Sequence, residues 1–170
     1  TLEEKANPSF STLPRYWVPQ TQVDERVAQE GRNTEWGLAY RWITHATNER
    51  TTISSILPKS GVGNSAPISF PVLGDERLCC ILHANLNAFV LDYVARQKLG
   101  GANLTFGTIK QLAVLAPSAY AESQVTFVLR RVLELCFTDV GLDSLALSLG
   151  YSGKPFIWNE ERRFWLRVEL

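Results

Sequence analysis

The chain has 170 residues, of which 45% are hydrophobic and 20% charged, the profile of one ordinary globular domain rather than a disordered or fibrous protein. Seventeen basic and seventeen acidic side chains cancel, so a strongly basic nucleic-acid binder driven by bulk charge is excluded. The three cysteines, Cys79, Cys80 and Cys136, are odd in number and lack a Cys-x-x-Cys spacing, which leaves no zinc site or disulfide framework and points to buried reduced thiols.

Residues 1–14 are polar and Pro-interrupted and are expected to be an extended lead-in from a preceding domain. With no Met anywhere and no signal or transit peptide at its start, the chain reads as a piece of a longer protein, with the cytoplasm as its default location. No apolar run approaches the ~20 residues that span a bilayer, because Asp92 and Arg96 interrupt the longest one. Arg15–Val18 has the composition of a short strand stopped by Pro19, and Val23–Gln29 that of a short helix ended by Gly31. Trp36–Ile43 and Thr51–Leu57 are strand candidates joined by a polar loop over Thr44–Arg50, and the strand-associated cations Arg41 and Arg50 have as their structural reading a surface ion pair, for instance with Glu49 or Glu35. Lys59–Asn64 carries Gly61 and Gly63, the chemistry of a turn with unusual backbone angles, before a third strand over Ile68–Leu73.

From Glu76 to about Gln97, Leu78, Leu82, Leu86, Phe89, Val90 and Tyr93 recur at intervals of three and four, which predicts one long helix with these side chains inward and Gly100-Gly101 as its stop. Thr108–Leu112 follows as a helical turn and Ala113–Leu115 as a closing strand. Ser118–Phe137 is a second long helix, and Leu142–Leu149 and Asn159–Val168 are shorter ones. The order predicts an α+β fold: a small, mostly antiparallel sheet covered by helices, with residues 15–117 as the core and 118–170 as a C-terminal helical appendage packed on it.

Catalytic motifs are missing. Neither His45 nor His83 belongs to a His-Glu-x-x-His pair, and there is no Gly-x-Ser-x-Gly elbow or phosphate-binding Gly-x-x-x-x-Gly-Lys loop. The informative feature is a surface composition instead. From Tyr93 through Ala121 there is no Asp or Glu, while Arg96, Lys98 and Lys110 supply cations and Gln97, Asn103, Thr105, Thr108 and Gln111 supply neutral hydrogen-bonding groups. Residues 36–120 carry net +3 against −2 and −1 for the flanks. Such a region suits a polyanion, since cations attract phosphates and Asn, Gln and Thr can read base edges. Arg96, Lys98, Lys110 and Lys59, with the backbone amides of Gly100 and Gly101, are the phosphate-binding candidates. Cations at the end of a helix also oppose its dipole, and Asn after a glycine pair also forms turns, so each residue has a structural reading beside the functional one.

The segments ITHATNERTTISSILPKSGVG (43–63) and ARQKLGGANLTFGTIKQLAVLAP (95–117), with RYWVP (15–19) before them and GYSGKPFIWNEERRFWLRVEL (150–170) after, form an ordered set. As a set they resemble the target-recognition region of large bacterial adenine DNA methyltransferases, including those fused to endonucleases in type IIG restriction-modification systems. The resemblance implies double-stranded DNA as a partner and base-reading residues after the helix–glycine junction, here Ala102, Asn103 and Thr105, with Asn64 on the glycine-rich turn as a further candidate. It also implies a covalently linked methyltransferase domain that binds S-adenosylmethionine, because the cofactor loop and the Asn/Asp-Pro-Pro-Tyr/Phe motif do not occur here. No catalytic residue, metal ligand or cofactor site is expected in this segment. The alternative is a non-catalytic protein-interaction or structural module that docks through its C-terminal helices.

Overall fold

The computed structural model describes residues 1–10, 13–72, 74 and 76–170. Trp36–Tyr40 (β1) lies at the centre of a three-stranded antiparallel sheet, between Ser54–Pro58 (β2) and Ile68–Ser69 (β3), with Leu38 opposite Ile56 and Ala39 opposite Ile68. All five β1 residues are buried, so the strand is covered on both faces. Gly37 is demanded by packing: a Cβ there would fall 2.8 Å from Ile68 Cγ1 and 3.0 Å from the Ser69 carbonyl oxygen, leaving no room for a side chain.

The helices are Leu2–Ala6 (α1), Gln20–Gln29 (α2), Glu76–Asn87 (α3), Phe89–Lys98 (α4), Phe106–Ile109 (α5), Glu122–Cys136 (α6), Asp143–Ser148 (α7) and Glu160–Glu169 (α8). Short 3₁₀ turns at Pro117–Ala119 and Val140–Leu142 introduce α6 and α7. The α+β class with helices over a small antiparallel sheet is as the sequence predicts. One continuous apolar core runs from Trp36, Leu38 and Ile56 through Cys80, Leu86 and Leu91 to Val132, Phe137 and Leu145, so the C-terminal helices complete the core of the sheet layer. Cys79, Cys80 and Cys136 are free thiols, and burial pushes the Cys79 and Cys136 thiols up to about 12.

Several local expectations are corrected. The single helix over 76–97 is two helices, α3 and α4, bent by 69° at Ala88, which has extended backbone angles. Asn87 stands at the break. Its carbonyl accepts from Arg50 Nη2 (2.7 Å) in place of a helical N–H, and its side chain bonds Ser54 while also donating to the His83 carbonyl (3.0 Å). With the axis bent, the apolar face read from the sequence has the wrong register. Leu86 is buried, but Leu78, Leu82, Phe89, Val90 and Tyr93 are exposed, and Cys80, Ile81, Ala84, Leu91 and Ala95 fill the core.

Arg15–Val18 is irregular and exposed, with no neighbouring strand to pair with it. The third strand is two residues long, and Leu73 at its expected end lies outside the described residues. Ala113–Leu115 is not a strand and pairs with no sheet edge among the described residues. The lead-in contains α1 and is not fully extended; it rests on the C-terminal segment, where Val140 N donates to the Pro8 carbonyl and Lys5 Nζ sits 4.5 Å from the Trp158 ring centre. Gly61 and Gly63 do not take left-handed angles, which are confined among the described residues to Gly31, Gly74 and Gly150. Gly61 is instead a close approach, where any Cβ would collide with the Val18 side chain.

Beneath the sheet, His83 on α3 is buried with Ser54 Oγ 3.0 Å from its Nδ1 and Cys136 Sγ 3.6 Å from its Nε2. Ser54 N–H donates to Asn87 Oδ1, which orients the Asn87 amide so that its NH2 faces His83 Nδ1 at 3.2 Å. Nδ1 is therefore the acceptor and Nε2 carries the proton of a neutral imidazole. Burial lowers its pKa to about 4. An unfolded histidine titrates near 6.5, so only the unfolded state gains this proton between about pH 6.5 and 4, and folded stability falls across that window by up to about 3 kcal/mol. Thermal melts should show a melting temperature that drops between pH 7 and 4.5, and a His83→Gln variant should lose most of that slope. Equal slopes would remove His83 from the acid sensitivity.

Candidate functional site

Two structural devices display the acid-free region on the surface. The first begins with Asp92, one turn into α4 and buried although ionisable. Its Oδ1 accepts the backbone N–H groups of Thr51 (2.8 Å) and Thr52 (2.7 Å), and Arg50 Nε lies 3.4 Å from the same oxygen. Arg96, one turn on, places Nη2 3.3 Å from Asp92 Oδ2 and donates to the carbonyls of Asn48 (3.0 Å) and Glu49 (2.8 Å). α4 thus grips residues 48–52 of the loop between β1 and β2. Arg50 lies over the Phe89 ring at 4.7 Å, and Arg41 donates to the Arg50 carbonyl and to Thr44 Oγ1. The expected pairings of Arg41 and Arg50 with Glu35 or Glu49 are replaced by these backbone and Asp92 contacts.

The second device is a junction at Trp42. Beyond β1 the chain continues along the same edge: Trp42 N donates to the Ser65 carbonyl (2.9 Å), Leu104 N to the Trp42 carbonyl (2.8 Å) and Thr44 N to the Ala102 carbonyl (3.1 Å). Asn103 sits opposite Ile43 in an antiparallel bridge, and fully buried Leu104 anchors the segment with an apolar contribution of roughly 1.5–3 kcal/mol. Asn64 and Asn103 are each one residue from a backbone hydrogen bond to Trp42, so the structure brings these two candidates together. Phe106 is half-exposed and packs edge-on against Tyr40 (5.7 Å) and Trp42 (6.2 Å), fixing the start of α5.

The remaining candidates separate by what already occupies them. Asn103 is exposed, and its side chain has no hydrogen-bond partner among the described residues; its backbone angle is not left-handed, so no turn-forming role is visible. Lys98 and Lys110 are exposed and have no ion-pair partner among the described residues. Gly100 and Gly101 are exposed, with open space where a Cβ would project and no left-handed angle, so neither packing nor conformation requires glycine there. Ala102 is exposed beside them. Thr105 is committed, since its Oγ1 caps α5 by accepting Thr108 N at 3.2 Å. Lys59 is paired with Glu35 (2.7 Å) and Asp24 (2.9 Å), and its hydrogen bond to Glu35 chiefly holds it above the usual lysine range. It lies beside the start of β1, seven residues before Ile43 and therefore on the order of 20 Å from the Trp42 junction. One concave face holding Lys59, Arg96 and Asn103 together is not what the fold builds.

Asp92, Asn87 and the backbone of Thr51 and Thr52 are the organising groups the sequence reading passed over. Their signal in the sequence is a carboxylate and its i+4 arginine inside an apolar helical stretch. Gly61 and Gly63 follow β2 but precede no helix, and Gly100-Gly101 follows a helix and enters an extended segment. Neither supplies the strand–turn–helix cradle of a nucleotide cofactor, and among the described residues no three His, Cys, Asp or Glu side chains converge to hold a metal. No single helix among them is long and apolar enough to cross a membrane. Comparison of the chain with protein-family models, curated proteins and solved structures yields no match.

Removing the Asp92 carboxylate would strand two buried N–H donors and leave two guanidiniums without their counter-charge. Asp92→Ala is expected to cost about 3 kcal/mol, and Asp92→Asn, which keeps one acceptor for the N–H pair, distinctly less. Urea unfolding of the three proteins measures this, and an alanine variant within about 0.5 kcal/mol of the parent would refute the clamp.

Proposed function

We propose that this chain is a DNA sequence-recognition domain that directs an adenine-specific, S-adenosylmethionine-dependent DNA methyltransferase to its site. The observation that carries the reading is the strip from Lys98 to Gln111: acid-free, pinned by the Trp42 junction, and presenting Lys98, Lys110 and the free Asn103 amide to solvent. A rigid backbone with an adaptable short amide between two uncommitted cations suits base reading with phosphate anchors on either side. The sequence resemblance to target-recognition regions points the same way. In this reading the cofactor and the methyl transfer belong to a covalently linked catalytic domain, the target adenine is flipped into that domain, and the protein works in the cytoplasm.

The phosphate assignment rests on Lys98, Lys110 and the open Gly100-Gly101 backbone, with Asn103 and Ala102 as the leading base contacts and Asn64 beside them. Arg96 and Lys59 support the fold, and Thr105 acts as a helix cap. A second reading, docking onto another protein surface, draws on α8, where Phe164, Trp165 and Val168 are exposed on one side of a helix anchored by buried Leu166. Both fit a module attached to a larger enzyme, and DNA titration separates them.

Duplex DNA should bind weakly with affinity that falls as salt rises. The double variant Lys98→Ala/Lys110→Ala should flatten the log–log salt slope by about 2 while melting like the parent. In the full-length parent enzyme, Asn103→Ala should relax the methylated sequence at one position, a discrimination of about 1–3 kcal/mol. A salt slope unchanged in the folded double variant, or no duplex binding at low salt, would leave the protein-docking reading in its place.

A further inference from the structure

The clamp that holds the β1–β2 loop also shapes a depression of about 320 Å³ between that loop and α4, lined by Glu49, Arg50, Phe89, Asp92, Tyr93 and Arg96. Its volume is at the low end for small-ligand sites. Phe89 and Tyr93 are the notable part of its wall. They stand one turn apart on α4, about 6 Å along the axis, and are 69% and 66% exposed, although nothing in helix formation requires two solvent-facing aromatic rings at that spacing. Phe89 is further ordered by the Arg50 guanidinium over its ring.

The polar edge of the depression is as specific as its rings. Arg96 spends Nη2 on Asn48, Glu49 and Asp92, while its Nε and Nη1 have no protein partner among the described residues. Glu49 contributes its backbone carbonyl to that arginine, and its side-chain carboxylate is exposed without an ion-pair partner among the described residues. A fixed donor therefore neighbours a free acceptor. Two guanidiniums and two carboxylates leave the depression formally neutral, which disfavours an isolated phosphate and favours a neutral planar group carrying an amino donor beside a ring acceptor. The amino-bearing edges of adenine and cytosine have that pattern, and aromatic side chains supply the stacking face for an unpaired base.

We infer that the depression between α4 and the β1–β2 loop binds a single unstacked nucleobase bearing an amino group, held against Phe89 and Tyr93 with its polar edge on Glu49 and Arg96. The site lies on the same helix whose end leads into the Lys98–Gln111 strip, so the base is a displaced neighbour in the bound DNA, distinct from the adenine that the catalytic domain takes and from the amine-free thymine opposite it. That placement rests on the DNA-binding reading above; the pocket chemistry does not.

The test uses the whole chain and the fluorescent base aminopurine, presented in three forms: as a single bulged base in a duplex, paired in the same duplex without the bulge, and as the free nucleoside monophosphate. Fluorescence should be quenched on binding of the bulged duplex and little changed with the paired one. Phe89→Ala and Tyr93→Ala, both at exposed positions, should each weaken the bulge-specific binding about tenfold while leaving salt-dependent binding of the paired duplex intact, and Tyr93→Phe should retain it. Binding of both duplexes without quenching, or quenching that survives the Phe89→Ala/Tyr93→Ala double variant, overturns the inference and leaves the DNA-binding reading standing. If neither duplex binds, the DNA reading fails by itself. The free monophosphate then decides the pocket: quenching lost in the double variant sustains a nucleobase site fed from the nucleotide pool, and no quenching overturns it.

Discussion

The packing of α4 against the β1–β2 loop depends on one carboxylate turned inward. Asp92 accepts two consecutive backbone N–H groups, from Thr51 and Thr52, and holds Arg50 and Arg96 beside it. A buried ion pair contributes little when desolvation is counted, but a carboxylate that also satisfies buried amides is expensive to disturb. The result is geometric. The β1–β2 loop cannot move without α4, and α4 cannot rotate without releasing Arg96 from the Asn48 and Glu49 carbonyls. Asn87 extends the same grip by one residue pair, binding Ser54 at the start of β2 while its carbonyl takes Arg50.

This arrangement explains which elements were legible in the sequence. β1 and α6 were readable because their own residue types determine them: an aromatic and aliphatic run in one, an amphipathic period in the other. α7 and α8 were placed within a residue or two for the same reason. The α3–α4 stretch was not, since its apolar spacing was continuous across a bend where Asn87 makes a tertiary contact to Ser54 that no local pattern encodes. The strands called at 15–18 and 113–115 had strand-like composition but no edge to join, because a strand's partners are set by the fold and not by its own side chains.

The candidate site divides along the same line. Composition marks an acid-free, cation-bearing stretch but does not tell a free cation from a committed one. Arg96 and Lys98 are two residues apart in sequence; the first lies against two carbonyls and a carboxylate, while the second projects into solvent. Lys59 looked equivalent to Lys110, but Glu35 and Asp24 occupy it. Hydrogen-bonding residues divide similarly, with Thr105 spent on a helix cap and Asn103 left open by its position in a bridge whose backbone alone is used.

The division has a physical logic if, as proposed, this surface reads DNA. Side chains that would cost the most entropy to immobilise on binding, the arginines of the clamp, are already immobilised in the free protein, where they tie α4 to the β1–β2 loop. The groups left unpaired among the described residues are a short amide, two lysines and a glycine pair that adds no side chain to order. Leu104 and Phe106 fix the segment from below, so Asn103 enters an encounter with its backbone position already set by the hydrogen bonds from Leu104 N to the Trp42 carbonyl and from Thr44 N to the Ala102 carbonyl. In the proposed reading, rigidity in the support and freedom at the tip would let a modest net charge yield selectivity: the attraction would be weak enough to release a wrong sequence, and discrimination would fall to contacts whose geometry the fold prepares in advance.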